Sequence, residues 1–552
     1  MALPQQPDIL TSILEKRRAL YEQKGFSFGH SIPHKREKPV VPFLPEKGAI
    51  LEVKRASPSK GDISPSLNAA ETACTYAEQG ASAVSVLTEE EFFKGSLEDL
   101  CTVSSAVYKK NPGIAILRKD FLVDEQELDI SYACGADAVL LITRILDIAK
   151  LCSMAKKALS LGLSILCEIR EEEDLEKYKV MCSTVHKGNA QARIFLGINT
   201  RDLATFSLDP LAPSSFFYDV EDGTLMVYES GVKTPEAASF AGNMGFHGLL
   251  MGEAAAKNPD LASNLVKKFI EAKPDMNAVM WTSYAAAMRS RKKMLGYSPY
   301  VKICGLTDID DVEDCIGLGA DMIGFIFSSK SKRCVHRSFL VEVKELIAKE
   351  KRRAGAHKEK FIRPVLTGVI TETDSPEAQE AFTLIRDGLL DKIQFHGCPI
   401  PPPAEKKWKD IPRYAAVKLG NDEDIEHFLG LLERGQPRVL VDARSASGEG
   451  GTGERIDEAL LDSIKGKTQL WLAGGITPSN VEDIIIKYRP ELIDIASGVE
   501  LTPVSKYESD DDDELGKKEI KAGKKDRLKM VELFEKIEDA CEKVRIADSS
   551  SR

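Results

Sequence analysis

Short apolar runs rich in β-branched residues recur along the chain and alternate with longer helical patterns. Such runs favour buried strands, and the helical stretches supply crossovers, so the alternation predicts βα units around parallel sheets. Eight runs lie in the first half, from residues 48–54 to 247–252, and eight in the second, from 300–304 to 491–497. Eight strands per half predict an α/β protein of two consecutive (βα)8, or TIM, barrels, the first with an extra N-terminal helical segment.

The length of the chain agrees with two domains, because 552 residues exceed what one hydrophobic core normally holds. We predict a first barrel over 1–273, a helical linker over 274–297 and a second barrel over 298–552. Segment 507–526, YESDDDDELGKKEIKAGKKD, is highly charged and has nothing to bury in a core. We therefore expect a disordered insert in the last βα loop, of which residues 507–521 are dispensable for activity.

Composition and charge exclude several classes of protein. An apolar share of 43% and a charged share of 29% are typical of a globular protein. The formal net charge of -11 disfavours nucleic acid as a partner. No apolar run approaches the roughly 20 residues of a membrane helix, and the N-terminus lacks the apolar region of a secretory signal. A cytoplasmic location is the resulting expectation, with no membrane partner.

Cysteine and histidine spacing indicates neither disulfides nor metal. The 11 cysteines are scattered and never form C-x-x-C, which favours free thiols in a reducing compartment. The 8 histidines show no paired ligand spacing. We therefore predict no metal site.

Polar residues in the first half stand where barrel strands should end. Considered singly, each is more commonly a solvated strand-end group. Together they would converge on one face, since parallel strands aim their carboxyl ends there, and could supply a proton donor and an acceptor. The candidates are Glu52, Lys54, Lys119, Glu168, Asn199 and Glu229.

The second half offers a different pair, Cys304 and Asp442, each at the end of a predicted strand. An inert buried thiol is the commoner case for cysteine. Near an electropositive phosphate site the thiolate would be favoured, which makes Cys304 a candidate base and Asp442 a candidate acid. Gly451 and Gly453, in the following SGEGGTGE stretch, would let backbone N–H groups approach an anion.

A pair of glycines recurs near the end of each half. Gly252 follows Gly231 by 21 residues, and Gly498 follows Gly475 by 23. In a barrel these are the loops after strands 7 and 8, where backbone N–H groups bind phosphate. The alternative is that each glycine only makes a tight turn. The repetition favours phosphate binding.

Longer motifs occur in both halves. The first half contains EVKRASPSKG (52–61), VLTEEEFFKGS (86–96), LRKDFLVDEQ (117–126), GADAVLLI (135–142), INTRDL (198–203) and ESGVKTPE (229–236). The second contains VKICGLT (301–307), GADMIGFIF (319–327), SKSKRCV (329–335), IQFHG (393–397), VLVDA (439–443), GGTG (450–453), LAGGITP (472–478) and IASGVE (495–500). Through these motifs the first half resembles indole-3-glycerol-phosphate synthase, and the second resembles phosphoribosylanthranilate isomerase.

For the second half the resemblance implies an Amadori rearrangement of N-(5-phosphoribosyl)anthranilate. Cys304 then matches the general base, and Asp442 the general acid that protonates the furanose oxygen. Arg333 matches a substrate contact. The implied phosphate ligands are Gly474, Gly475, Ser497 and Gly498.

For the first half the resemblance implies indole ring closure with loss of CO2 and water. Lys119 matches the general acid, Lys54 the carboxylate ligand and Glu168 the group for the later dehydration. Glu52, Asn199 and Glu229 would position the substrate. The implied phosphate and ring contacts are Ser57, Phe93, Phe121, Arg201, Ser230, Gly231 and Gly252. No cofactor is implied, and the partners are small phosphorylated anthranilate–sugar substrates and other tryptophan-pathway enzymes.

Two departures and two rival functions complete the comparison with these families. Thr200 stands where a second asparagine would be usual, and TGVITETD (367–374) lacks an asparagine often found in the isomerase. Another phosphate-sugar barrel enzyme would share the glycines but not KDF, INTRDL or KICG. A non-catalytic phosphate-binding double barrel should have lost the costly charged strand-end residues. These residues are all present.

Overall fold

The computed structural model describes residues 9–58, 61–185, 193–201, 208–358, 360–401, 408–443, 457–501 and 522–550. The chain forms two compact units, Met1–Ala286 and Ala287–Arg552. The division falls inside a helix that spans Met276–Leu295 within the predicted linker.

The first unit contains a closed parallel barrel of eight strands, in agreement with the prediction. A short antiparallel pair, β2 and β3, follows the first strand and was not predicted. The strands are β1 (Gly48–Val53), β2 (Ala56–Ser57), β3 (Gly61–Asp62), β4 (Ala83–Leu87), β5 (Ala115–Lys119), β6 (Ala138–Ile142), β7 (Ser164–Ile169), β8 (Ile194–Asn199), β9 (Leu225–Glu229) and β10 (Gly248–Met251).

Helices surround this barrel, and α1 precedes it as the sequence predicts. Side chains of Asn68, Ser96, Asp147 and Thr234 accept hydrogen bonds from backbone N–H groups at helix starts, which is why helices begin there. The helices are α1 (Ile9–Lys24), α2 (Ala69–Glu78), α3 (Leu97–Lys110), α4 (Gln126–Ala133), α5 (Ile148–Ser160), α6 (Glu172–Val185), α7 (Pro235–Asn243), α8 (Glu253–Lys257), α9 (Pro259–Glu271) and α10 (Met276–Leu295).

The second unit contains another closed parallel barrel of eight strands. Its strands are β11 (Tyr300–Cys304), β12 (Met322–Phe327), β13 (Val365–Ile370), β14 (Lys392–His396), β15 (Arg413–Leu419), β16 (Val439–Ala443), β17 (Trp471–Leu472) and β18 (Leu492–Ile495). Its helices are α11 (Ile309–Gly317), α12 (Arg337–Ala356), α13 (Pro376–Arg386), α14 (Asp422–Glu433), α15 (Glu458–Ile464), α16 (Val481–Tyr488) and α17 (Arg527–Ser550). All sixteen predicted barrel strands are therefore present.

The charged segment departs from the prediction at its C-terminal end. Most of the insert predicted to be disordered, residues 507–521, lies outside the described residues. Residues 522–526 are ordered, and Lys525 is only 3% exposed. The expectation that nothing in 507–526 would be buried is therefore wrong for Lys525, because its ammonium finds buried oxygen acceptors.

No helix in the described part of the chain is long and apolar enough to span a bilayer.

Candidate active sites

One cleft at the carboxyl end of the first barrel collects nearly all the residues predicted for that half. The lining includes Glu52, Lys54, Ser57, Phe93, Lys119, Phe121, Glu168, Asn199, Arg201, Ser230, Gly231 and Gly252. Glu229 ends β9 and is buried beside Lys119. Convergence occurs because every strand is parallel, so that each carboxyl end reaches the same face.

Lys119 lies between carboxyl groups. Its Nζ is 3.1 Å from Glu229 Oε2 and 3.4 Å from Glu168 Oε2. Burial alone would lower the pKa of Lys119, but the charges of Glu229, Glu168 and Glu52 outweigh it and raise the pKa above its usual value. Lys119 therefore carries its proton at neutral pH.

Glu229 is the most buried of these acids, with 1% of its surface exposed. Burial raises the pKa of its carboxyl to about 8, against the opposing charge of Lys119. A Cβ on the neighbouring residue Gly197 would clash with this carboxyl, so the glycine makes room for it. Glu229 is thus the carboxyl of the cluster poised to exchange a proton near neutral pH.

A second ion pair lies on the first strand. Lys54 Nζ is 3.2 Å from Glu52 Oε1, as expected for residues two apart on one strand face. The ammonium also lies 5.5 Å from the centre of the Phe93 ring, whose centre is 6.1 Å from that of Phe121. This corner of the cleft can hold an aromatic carboxylate, because it pairs a cation with apolar ring surface.

The loops after β9 and β10 close the other side of the cleft. Ser230 and Gly231 both have left-handed backbone, with φ of 72° and 81°. A Cβ at Gly252 would lie 2.8 Å from Glu52 Oε1, so a side chain there would force the Glu52 carboxyl to shift. Asn199 uses its side-chain oxygen to accept a hydrogen bond of 3.0 Å from the backbone of Arg201. The geometry is compatible with the predicted anion site.

An arginine network that was not predicted from the sequence lies next to this cleft. Arg17 of α1 donates to Asp120 Oδ1 at 2.7 Å and also pairs with Glu127. Arg118 donates to Asp120 Oδ2 at 3.0 Å. The KDF motif contains Asp120, but nothing in the sequence identified Arg17, whose partners lie about a hundred residues away. The network holds α1 on the barrel, where Leu10 and Ile13 line the cleft.

In the second barrel, Cys304 ends β11 and is 7% exposed. Lys302 lies on the same face of this strand and donates to Asp494 at 2.6 Å and to Gln394 at 2.5 Å. Because these partners come from other strands of the barrel, Lys302 and Cys304 both point into its interior. Burial raises the pKa of the Cys304 thiol, although Lys302 and Lys525 oppose the shift. The expected preference for the thiolate is therefore wrong, because desolvation outweighs the nearby cations.

Asp442 faces a histidine that the sequence analysis did not select. His396 Nε2 lies 3.5 Å from Asp442 Oδ2, and its Nδ1 is 3.1 Å from Gln394 Nε2. Burial, with the charges of Lys418 and Lys302, lowers the pKa of His396 to about 4. The imidazole is therefore neutral at pH 7. The motif IQFHG (393–397) contains this histidine, so the sequence could have identified it as a site residue.

Arg333 is paired within the protein. Its Nε and Nη2 each donate to one oxygen of Glu500, both at 2.8 Å. Glu500 also accepts a hydrogen bond of 3.0 Å from Lys525, another residue that the sequence analysis missed. Arg333 thus stands fixed beside the turn that follows Cys304, where a Cβ at Gly305 would approach Arg333 Cδ to 2.9 Å.

The predicted phosphate loops of the second barrel are partly described. Gly474 and Gly475 have φ of 86° and 63°, and the Asn480 side chain donates to the Gly475 carbonyl at 2.8 Å. Ser497 and Gly498 form a short 3-10 turn directly after β18. Gly451 and Gly453 lie outside the described residues. Within the described residues no cluster of His, Cys, Asp or Glu has the arrangement of a metal site.

Comparison with known proteins assigns each barrel to a family. Residues 40–268 match the family model of indole-3-glycerol phosphate synthase, and residues 301–505 match that of N-(5'-phosphoribosyl)anthranilate isomerase. An indole-3-glycerol phosphate synthase of Carboxydothermus hydrogenoformans is 41% identical over 218 residues, which cover 39% of this chain and 75% of that protein. One of Oceanobacillus iheyensis is 32% identical over 260 residues, which cover 46% and 94% respectively.

Longer relatives contain both regions. A multifunctional tryptophan biosynthesis protein of Schizosaccharomyces pombe is 31% identical over 470 residues, which cover 82% of this chain and 57% of that protein. The chain spans between 57% and 62% of the length of three such relatives. The chain belongs to the indole-3-glycerol phosphate synthase family through its first barrel and to the N-(5'-phosphoribosyl)anthranilate isomerase family through its second.

Proposed function

We propose that this chain catalyses two successive steps of tryptophan biosynthesis. The second barrel isomerises N-(5-phosphoribosyl)anthranilate to 1-(2-carboxyphenylamino)-1-deoxyribulose 5-phosphate. The first barrel closes the indole ring of that product to give indole-3-glycerol phosphate. The observation that carries the proposal is the position of Lys119, held at 3.1 Å from Glu229 and 3.4 Å from Glu168 in a cleft with an aromatic wall.

In the isomerisation, Asp442 gives a proton to the furanose oxygen and the ring opens to an imine. Cys304 removes the proton from the adjacent carbon, and the resulting enolamine becomes the ketone. Both residues stand at inward-facing strand ends of the same barrel face. Arg333, and the backbone at Gly475 and Ser497–Gly498, would bind the carboxylate and phosphate of the substrate.

In the ring closure, Lys54 holds the benzoate carboxylate against Phe93 and Phe121. Lys119 gives its proton to the ketone oxygen as the aromatic carbon attacks, and the carboxylate then leaves as CO2. Glu168, at 3.4 Å from Lys119, serves the final loss of water. Glu52, Asn199 and Glu229 position the reacting groups. Ser57, Arg201, Ser230, Gly231 and Gly252, which line the same cleft, would bind the phosphate.

The bonds that form and break in both reactions lie within the substrate, and the protein supplies and removes protons, so side-chain acids and bases suffice. The substrates are small phosphorylated anthranilate–sugar compounds, and other tryptophan-pathway enzymes are the proposed partners. The described cysteines are all free thiols, which supports a reducing, cytoplasmic location.

Separate assays of the two reactions test the proposal. We expect Lys119→Ala to lower ring closure by about 10²- to 10⁴-fold and to spare isomerisation, and Cys304→Ala to do the reverse. Lys150→Ala, which removes a partly exposed lysine, and Cys541→Ala, which removes a buried thiol from α17, are the matched controls. An effect of Lys119→Ala on isomerisation, or of Cys304→Ala on ring closure, would show that the roles are wrongly divided.

A further inference from the structure

The chain returns to the carboxyl-end face of the second barrel at residues 522–525. Thr307 Oγ1 donates to the Ala522 carbonyl at 2.9 Å, and the Lys525 backbone N–H donates to Asp311 Oδ2 at 2.8 Å. Gly523 has φ of 88°, and a Cβ there would lie 2.8 Å from the Gly305 carbonyl. This short stretch is therefore packed tightly against the loop that follows Cys304.

The Lys525 side chain lies inside this contact and is fully buried. Its Nζ donates to the carbonyl of Cys304 at 2.7 Å, to that of Ala496 at 2.9 Å and to Glu500 Oε1 at 3.0 Å. A lysine ammonium has three protons, so these acceptors match its capacity. Lys525 thus links the carboxyl ends of the first and last strands of the barrel.

Glu500 extends this link to Arg333. Its two oxygens accept from Arg333 Nε and Nη2, so the guanidinium is held by two parallel hydrogen bonds. Desolvation would raise the pKa of Glu500, but its bonds to Arg333 and the charge of Lys525 lower it below the usual value. The carboxylate is therefore ionised, and Arg333 is aimed by a fixed charged partner.

We propose that Lys525 is a positioning residue of the isomerase site, an inference that rests on the proposed function. Through Glu500 it orients Arg333 toward the anionic substrate. Through the two carbonyls it fixes the backbone of the base, Cys304, and the start of the phosphate turn at Ala496. Both anchors come from a single lysine near the end of the charged segment.

Lys525 also acts on Cys304 electrostatically. The charged groups that face the thiol are Lys302 from its own strand, Asp494 from β18 and Lys525. The two lysines lower the pKa of the thiol, whereas burial and Asp494 raise it. Replacing Lys525 by a neutral side chain should therefore raise the pKa of Cys304 further, so that a smaller fraction of the thiol is deprotonated and able to accept a proton at neutral pH.

The test compares Lys525→Met with Lys524→Met in the full chain. Lys524 is the matched control, because it pairs with Asp308 at 2.7 Å and Asp311 at 2.8 Å and contacts no proposed site residue. For Lys525→Met we expect the acidic limb of the pH profile of isomerase kcat/KM to move to higher pH by on the order of one unit. The loss should be about tenfold below the limb and small above it. Lys524→Met should leave the limb in place.

The pH profiles of the two variants decide the inference. A shifted limb in Lys525→Met alone supports the inference. An equal loss of kcat/KM on both sides of the limb, or an unmoved limb, overturns it and indicates a general structural effect. If Lys525→Met does not fold, Glu500→Gln replaces it; a rise in KM of roughly tenfold, from loss of charge pairing at Arg333, supports the inference and an unchanged KM overturns it. Absence of isomerase turnover in the unmodified chain refutes the proposed function itself.

Discussion

Replacing Lys119 by methionine should destabilise the first barrel in a way that grows with pH. The change removes the cation but keeps a side chain of similar length, so Glu52, Glu168 and Glu229 are left facing one another in a buried site. At 3.1 Å from Glu229, an effective dielectric constant of about 20 gives an attraction of roughly 5 kcal/mol. Removing one partner of a buried pair typically costs about 3–5 kcal/mol.

The pH dependence follows from the raised pKa of Glu229. A carboxyl whose pKa is higher in the folded state binds its proton more tightly there, so stability falls as pH rises from its unfolded value toward about 8. Without Lys119 nothing opposes burial and the pKa rises further. We therefore expect a loss of about 3–5 kcal/mol at pH 8 and about 1–2 kcal/mol at pH 5, where the Glu229 carboxyl carries a proton.

The loss is measured by thermal unfolding of the full chain, with hydrogen exchange in peptides of the first barrel as the readout. This readout separates the first barrel from the second unit. At about 2–4 °C per kcal/mol, the melting temperature should fall by roughly 10 °C at pH 8. Lys150→Met is the control, because Lys150 also contacts two carboxylates, Asp124 and Glu125, but is about a third exposed. Its loss should stay below about 1 kcal/mol at either pH.

Two results would refute this reasoning. If Lys119→Met lost as much stability at pH 5 as at pH 8, the effect would come from packing and not from the carboxyl cluster. If Lys150→Met matched it at pH 8, burial would not be what makes the Lys119 interactions strong.

Two glycine substitutions, one in each barrel, test the close contacts in the proposed sites. Gly324→Ala would put a Cβ 2.5 Å from Cys304 Sγ, so we expect isomerase kcat to fall at least tenfold while ring closure is unchanged in parallel steady-state assays. Gly252→Ala would put a Cβ 2.8 Å from Glu52 Oε1; here ring closure should fall and isomerisation should persist, and full ring-closure activity would mean that Glu52 can move freely.

The fold could be predicted because its determinants are local. Each barrel strand is a short buried run, and eight such runs per half leave few alternatives to a closed parallel barrel. Lys119, Glu168 and Asn199 were predictable for the same reason, since a polar residue at the end of an apolar run must emerge at the strand's carboxyl end. Residues that reach the sites from outside the strands could not be found in this way.

Arg17 and Lys525 illustrate that limit. Arg17 looks like a surface residue of an amphipathic helix, yet it is 5% exposed and bound to Asp120. Lys525 stands in a run of charged residues whose composition predicts mobility, yet it is 3% exposed. In both cases a charge is buried because distant segments supply matched acceptors, and single-sequence patterns do not reveal partners about 100 to 220 residues away.

The two barrels have the same fold but surround the residue proposed to transfer a proton with charges of opposite sign. In the first, acids surround a lysine, and the raised pKa of Lys119 makes its proton hard to release. When Glu229 takes up a proton, one of the opposing charges disappears and Lys119 becomes a stronger acid, so the buried carboxyl can adjust the donor. In the second, lysines favour the thiolate of Cys304 against desolvation. In each barrel the residue proposed to transfer a proton is buried beside opposite charge, and the neighbours that supply this charge determine how readily it does so.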